Sequence, residues 1–182
     1  MKSFLQLGDV PAGEPLPADR ITELHAGRLL MLLRYCGTAN RIDGLTKLAK
    51  LDFFVRYPDA FNRMAAYLKK EARAATETVE SPMVRHHYGP WDKRYYQVLP
   101  FLEARGLITV AQDRETIVFQ LTEAGKTVAE TLAQQPLFAK SRDQMAQVKK
   151  LLGPRTGSAI KKLIYEVFKV EVADRPKGEL IR

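Results

Sequence analysis

The sequence has little of what membrane-bound, secreted or disulfide-rich proteins contain. Its 182 residues include a single cysteine, Cys36, which excludes an intrachain disulfide and is typical of proteins from a reducing cytoplasm. The longest uninterrupted apolar run, residues 29–33, is far shorter than the roughly 20 residues that a membrane-spanning helix needs. The N-terminus lacks the basic and then apolar regions of a signal peptide. We therefore expect a cytoplasmic protein with no membrane contact.

Motifs of catalysis and of metal binding are equally scarce. Of the three histidines, His25 stands alone and His86 and His87 are adjacent, so the sequence has no ligand set at zinc-site spacing. It contains neither a GxxxxGK[ST] phosphate-binding loop nor a serine in a nucleophile elbow. Cys36 has no recognisable catalytic partner pattern. The sequence therefore predicts a protein that is not an enzyme and uses no metal or cofactor.

What the sequence does have is an uneven positive charge. Lysine and arginine number 29 against 21 aspartates and glutamates, which gives a net charge of +8. Residues 137–170 contain eight basic and two acidic side chains, so most of the surplus lies in this stretch. A localised surplus indicates a polyanion or an acidic protein as partner more strongly than an even distribution would.

Residues 85–124 carry the clearest structural pattern. Pro90 suits the first turn of a helix, and apolar residues then recur at helical spacing as far as Gly106, which is suited to ending it: Trp91, Tyr95, Leu99 and Leu102. Residues 107–111 and 116–121 predict a β-hairpin around a polar turn, and Thr122 is placed to cap the next helix. Pro100 interrupts the first helix at a cost of roughly 3 kcal/mol, so we expect a kink or two short helices. Helix, hairpin and helix in this order are the second half of a winged helix.

The rest of the chain is predicted to be helical, apart from a polar linker at 74–82. Pro58 is placed to end one helix, while Asp19, Asp59 and Thr156 are placed to cap others. The predicted helices span residues 19–36, 45–57, 59–73, 122–135, 137–152 and 157–170. The expected fold class is mainly α with a small β-hairpin, a winged helix-turn-helix with additional N- and C-terminal helices. We divide the chain into an extended N-terminal tail (1–18), a winged-helix domain (19–135) and a basic C-terminal helical appendage (136–182).

A winged helix contacts DNA through one helix in the major groove, while the wing touches the backbone or the minor groove. Basic side chains at these places are candidate DNA contacts, and two lysines of the second helix could add phosphate contacts. Asp92, Asp113 and Glu115 lie beside them and weaken the positive field. The candidate DNA-binding residues are Lys47, Lys50, Arg85, Lys93, Arg94 and Arg114.

A second set of residues is typical of protein interfaces, which are enriched in tyrosine, tryptophan and arginine. The aromatic residues between 88 and 96 are unusually dense, and the last two helices carry most of the basic surplus. The helix at 157–170 also has a strong apolar stripe. This stripe is a candidate for a surface that becomes buried only when a partner binds. The candidate partner-binding residues of this kind are Tyr88, Trp91, Tyr96, Lys149, Lys150, Lys161 and Lys162.

Two motifs resemble a known family. GLTKLAKLDFFVRYP (residues 44–58) and VESPMVRHHYGPWDKRYYQVLPFLEARGLI (residues 79–108) are similar to the middle component of ABC-three-component, Lamassu-type anti-phage defence systems. The resemblance covers residues 21–133. It implies an accessory subunit that bridges an SMC-like ATPase and an effector, often a nuclease, with double-stranded DNA as a further partner. The family supplies no catalytic residues. Contacts are expected among the motif residues Lys47, Lys50, Asp52, Arg56, Tyr88, Trp91, Asp92, Arg94 and Tyr95, of which Arg56 joins the candidate partner-binding set.

The alternative is a winged-helix transcription regulator. Residues 89–126 also resemble DNA-binding regulators of the MarR or PadR type, which usually dimerise through terminal helices. The two C-terminal helices are candidates for that role. Their basic surplus is unfavourable for it, because protein interfaces are depleted in lysine.

Overall fold

A computed structural model describes residues 20–71, 83–86, 89–169 and 180–181. The predicted N-terminal tail, the cap at Asp19, the linker at 74–82 and Tyr88 lie outside the described residues. Within them the chain is mainly helical with small antiparallel sheets. The helices are α1 (Thr22–Tyr35), α2 (Leu45–Arg56), α3 (Pro58–Tyr67), α4 (Tyr95–Ala104), α5 (Glu123–Gln134), α6 (Ala139–Leu152) and α7 (Gly157–Val167). The strands are β1 (Arg41–Asp43), β2 (Met83–His86), β3 (Gly89–Trp91), β4 (Ile108–Asp113), β5 (Thr116–Leu121) and β6 (Leu180–Ile181).

Local signals fix several helix ends. The Thr122 hydroxyl accepts a hydrogen bond from the Gly125 N–H at 3.0 Å, and the Thr156 hydroxyl accepts one from the Ala159 N–H at 3.2 Å. Both side chains therefore satisfy N–H groups that a helix start leaves unpaired, as predicted. Pro58 occupies the first turn of α3, so it begins that helix as well as ending α2, and Asp59 lies in the first turn instead of capping it.

The hairpin of β4 and β5 is confirmed and gains a third strand. β1 pairs with β5 in antiparallel register, Ile42 opposite Phe119, which gives the strand order β1-β5-β4. The sequence analysis did not predict β1, because three residues are too few to show an alternating pattern. The hairpin turn is tighter than expected, since Asp113 and Thr116 still pair and Arg114 has φ +55°.

The chain around Gly89 differs from the prediction. Gly89–Trp91 forms a strand instead of a first helical turn, and it pairs with β2 in the sheet β3-β2-β6. Pro90 tolerates this position because β3 is at the edge of that sheet. Helix α4 begins only at Tyr95 and is one helix with Pro100 inside it, not two short ones.

One apolar core includes buried side chains from Ala26 of α1 to Phe168. Helices α6 and α7 pack on α2, and the ring of Phe168 lies 6.1 Å from that of Phe53 and 6.4 Å from that of Phe54. Ile160 and Ile164 of α7 are fully buried in the same cluster. The apolar stripe of α7 is thus packed against the chain's own core. The expectation that this stripe is buried only in a complex with a partner was wrong.

No helix among the described residues combines the length and the apolar character that crossing a bilayer requires.

We predict that Ile164→Ala lowers the free energy of unfolding by about 2–5 kcal/mol, because it removes a fully buried side chain and leaves a cavity. Denaturant titration followed by circular dichroism would measure this. Leu137→Ala is the control: Leu137 is 80% exposed, so its replacement should leave stability nearly unchanged. Equal and small effects at both positions would contradict a core shared between α7 and α2.

Candidate functional site

The two motifs meet in space. Lys50 of α2 donates a hydrogen bond from Nζ to the Pro90 carbonyl at 2.8 Å. The Tyr95 hydroxyl donates to Asp52 Oδ2 at 2.7 Å, and Arg56 Nη1 donates to Asp92 Oδ2 at 2.8 Å. We call this cluster the junction; its polar residues are His25, Arg28, Lys50, Asp52, Arg56, Asp92, Arg94 and Tyr95.

Helix α2 carries the charged residues of the junction into the interior. Every residue from Leu48 to Arg56 is buried, because α1, α3, α6, α7 and β3 surround this helix. Asp52 and Arg56 are four residues apart and therefore share one face. Their side chains are drawn to charges on neighbouring elements: Arg28 of α1 donates from Nε to Asp52 Oδ1 at 2.9 Å.

Asp92 organises the start of α4. Its Oδ1 accepts from the backbone N–H of Arg94 at 3.0 Å and from Arg94 Nε at 2.8 Å, a side-chain turn of the kind that Asp favours. Burial alone would raise the pKa of Asp92, but the hydrogen bonds from Arg94 and the charge of Arg56 lower it to about 2. Asp92 therefore stays ionised and holds two guanidinium groups.

The junction has three arginines, one lysine and two aspartates, so its basic side chains outnumber its carboxylates by two. His25 lies between two of the arginines, with Nδ1 2.8 Å from Arg28 Nη1 and Nε2 2.9 Å from Arg94 Nη1. A guanidinium only donates, and a neutral imidazole accepts through one nitrogen. In its neutral form His25 accepts a hydrogen bond from one of these two arginines in either tautomer.

Lys50 and Tyr95 are two almost fully buried titratable groups of the junction. Burial raises the pKa of Tyr95 well above its usual value, and the charge of Asp52 adds to this. Burial lowers the pKa of Lys50, and together with the positive charge of Lys161 it brings this pKa to about 7. The Lys50 ammonium lies 5.8 Å from the centre of the Trp91 ring, a cation–π contact that offsets part of the desolvation.

A small exposed surface adjoins the junction. Tyr96 is 63% exposed, and its ring centre lies 6.1 Å from that of the buried Trp91. Lys93 is exposed beside it, while Arg94 is held by Asp92. The aromatic side chain is therefore presented on a helix start that the junction fixes.

The hairpin tip has balanced charge. Arg114 is exposed in the turn next to Glu115. Beside the tip, Arg41 of β1 forms ion pairs with Asp43 at 2.6 Å and with Asp113 at 2.9 Å. The hairpin therefore offers one arginine to a ligand without a strong positive field.

A basic groove opens between the starts of α2 and α7. This α2–α7 groove has a volume of about 740 Å³ and brings together two sets of residues that the sequence analysis had assigned separately. Lys47 had been assigned to DNA, and Lys161 and Lys162 to a partner. Its cationic and hydroxyl-bearing lining residues are Lys47, Arg155, Lys161, Lys162, Thr46, Thr116, Thr156, Ser158 and Tyr165.

The structure corrects three of the assigned contacts. Lys50, Arg56 and Trp91 are at most 3% exposed, so they hold the junction together and are not surface contacts for DNA or a partner. Lys149 and Lys150 lie exposed on α6. The side chain of Arg85 lies outside what the structure describes.

The sequence analysis missed Arg28 and Arg155. The only signal for Arg28 is a charge inside an otherwise apolar helix face, next to the run at 29–33. Arg155 was counted in the basic surplus, but its position at a groove depends on how α6 and α7 pack against α2. No pattern in the nearby sequence indicates this packing.

Reactive groups of other kinds are not assembled in the described part of the chain. No group of three or more His, Cys, Asp and Glu side chains there is placed to hold a metal ion. The buried Cys36 thiol donates to the Met145 carbonyl at 3.2 Å, and burial raises its pKa. The Cys36 thiol therefore behaves as a buried structural group.

No protein-family model, curated protein or solved structure matches this chain. The resemblance to Lamassu-type middle components accordingly rests on the two motifs, whose residues meet at the junction.

We predict that Lys50→Met changes how stability depends on pH. With a folded-state pKa of about 7 against an ordinary value of 10.5, Lys50 holds more protons in the unfolded chain between these pH values. The wild type should therefore gain about 1.4 kcal/mol of stability per pH unit over this window relative to the variant. Denaturant titrations of both proteins across this range would measure the difference. Parallel profiles would contradict it.

We predict that Arg56→Met lowers the free energy of unfolding by about 1.5–3 kcal/mol, because it removes a buried charged hydrogen bond and leaves Arg94 to neutralise Asp92. The control is Arg34→Met, which removes a surface pair with Glu130 at 2.9 Å and should cost at most about 1 kcal/mol. Chemical denaturation of the two variants gives both values. Similar losses would mean that the junction pair is no more important than a surface pair.

Proposed function

We propose that this chain is a non-catalytic winged-helix adaptor subunit of a bacterial anti-phage defence complex, bridging an SMC-like ATPase and an effector. The observation that carries the proposal is the direct contact between the two family-like motifs at the junction. Residues that are about 40 positions apart in the sequence, Lys50 and Pro90, are hydrogen bonded. The two motifs therefore form one structural unit, which supports treating them together as one family signature.

The strand order supports a winged helix. In the sheet β1-β5-β4 the first strand pairs with the last strand of the hairpin, as in winged-helix domains. Helices α1, α2 and α4 would be the three helices of the domain. Helix α3 and the strands β2 and β3 would then be an insertion before the third helix. This insertion supplies β3, through which Pro90 and Trp91 contact α2.

The surface at Tyr96 and Lys93 is the proposed contact for a protein partner. Exposed tyrosines are frequent anchors of protein interfaces because they bury a large area at a low entropic cost. Trp91 lies beneath Tyr96, and the hydrogen bonds of Asp92 fix the start of α4. Because the start of α4 is already fixed, Tyr96 loses little conformational entropy when it binds a partner.

The transcription-regulator alternative has less support. The exposed side chains of α4, which would enter the major groove, are Tyr96, Gln97, Pro100, Glu103 and Ala104, and none is basic. The apolar sides of α6 and α7 are used within the chain's own core. What they leave exposed includes Lys149, Lys150 and Lys162, which disfavours a dimer interface on these helices.

We predict that the chain, co-expressed with the products of neighbouring genes, purifies in a stable complex with a large coiled-coil ATPase. Tyr96→Ala should weaken this association by about 2 kcal/mol, roughly thirtyfold. Tyr67→Ala is the matched control, because Tyr67 is also exposed but lies on α3. Pull-down followed by mass measurement reports the complex, and a binding titration with the purified partner gives the affinity.

Purification of the chain alone as a homodimer that binds a short palindromic duplex would favour the regulator. Equal losses from Tyr96→Ala and Tyr67→Ala would show that Tyr96 is not the anchor.

A further inference from the structure

The α2–α7 groove is formed where two helices begin. The first residues of α2 and α7 approach so closely that a Cβ atom at Gly157 would lie 3.0 Å from the Lys47 backbone nitrogen. A side chain at Gly157 would require the Lys47 backbone to move by a few tenths of an ångström. The positive ends of two helix dipoles therefore point toward one region of the surface, where they favour a negative charge.

Four cationic side chains from three parts of the chain line this groove: Lys47, Arg155, Lys161 and Lys162. Lys47 donates from Nζ to the Gly153 carbonyl at 2.8 Å, which fixes its ammonium at the wall. Asp43 also lines the groove, but Arg41 forms an ion pair with it at 2.6 Å. The groove thus keeps a positive field in spite of this carboxylate.

Hydroxyl groups complete the lining. Thr46, Thr116 and Ser158 add donors that are short and uncharged. Contacts to nucleic-acid phosphates come from lysine and arginine, from serine and threonine hydroxyls and from helix N-termini. All three kinds of donor are present in this one groove.

The positive surface extends beyond the groove at one end. Arg155 also lines a second groove of about 500 Å³ between α3 and α6, together with Lys70 and Lys150. At the other end, the hollow at the hairpin brings Arg41 and Arg114 together with Asp43, Asp113 and Glu115, so the positive surface ends there. A ligand that follows this surface has to be an extended polyanion, not a single phosphate.

We propose that the α2–α7 groove binds the sugar–phosphate backbone of a nucleic acid. A protein partner fits the groove less well, because protein interfaces are depleted in lysine and need apolar anchors, whereas this lining is rich in lysine and hydroxyl groups. The inference does not depend on the adaptor role, since it concerns the chain without any partner protein.

The test measures the anisotropy of a fluorescent duplex, and of one of its single strands, as the full chain is added at several salt concentrations. The groove variant is Arg155→Gln/Lys162→Gln. It should bind roughly tenfold or more weakly at low salt, with the slope of log affinity against log salt reduced by about 2. The matched control is Lys140→Gln/Lys149→Gln, which removes the same charge from exposed positions of α6 outside the groove. It should keep the wild-type slope.

Binding of either nucleic-acid form with this pattern supports the proposal, and the preference between them identifies the ligand. Three results would overturn it: no binding by the wild type, equal losses in both double variants, or displacement of the oligonucleotide by polyglutamate as readily as by unlabelled DNA at equal charge. Failure of the adaptor role would instead appear as lost co-purification, in an experiment that leaves the groove residues unchanged.

Discussion

Two carboxylates and three guanidiniums share the interior of this protein, and the arrangement of α1, α2 and α4 depends on their pairing. Asp52 binds Arg28 from α1 and the Tyr95 hydroxyl from α4. Asp92 binds Arg56 from α2 and fixes the turn that starts α4. Desolvating these charges is costly, and only nearly complete pairing offsets it. A displacement of any one of the three helices would break at least one of these buried pairs, which makes their relative positions specific.

The same constraint divides the positive charge of the chain into two classes. Arg28, Arg56 and Arg94 are committed to internal carboxylates, whereas Arg155 and Lys162 line an open groove. Net charge counts both classes alike, although the second class is the one that faces a solvent-accessible hollow. The proposed protein contact at Tyr96 and the proposed nucleic-acid groove use different elements, α4 for the first and α2 with α7 for the second.

The features that the sequence predicted well are those with local causes. Thr122 and Thr156 cap their helices, Gly106 has φ +67°, and the β4–β5 hairpin lies where two apolar segments around a polar turn indicated it. Gly89–Trp91 was assigned to a helix because its strand pairing with β2 is not visible in its own residues. Lys50 and Arg56 were expected at the surface for a similar reason. Their partners, Pro90 and Asp92, come from another segment, and a lysine without a known partner is normally exposed.

The packing of Phe168 against Phe53 and Phe54 has a consequence for how the chain is made. Helix α2 leaves the ribosome long before Phe168 does, so for most of synthesis its aromatic side has no final cover. In a nascent chain that ends at α5, the rings of Phe53 and Phe54 would contact solvent or a chaperone instead of Phe168. Because α7 and Phe168 are translated after α2, their packing on α2 completes the core. Slow translation of the codons after α5 would lengthen the time during which the nascent chain can aggregate.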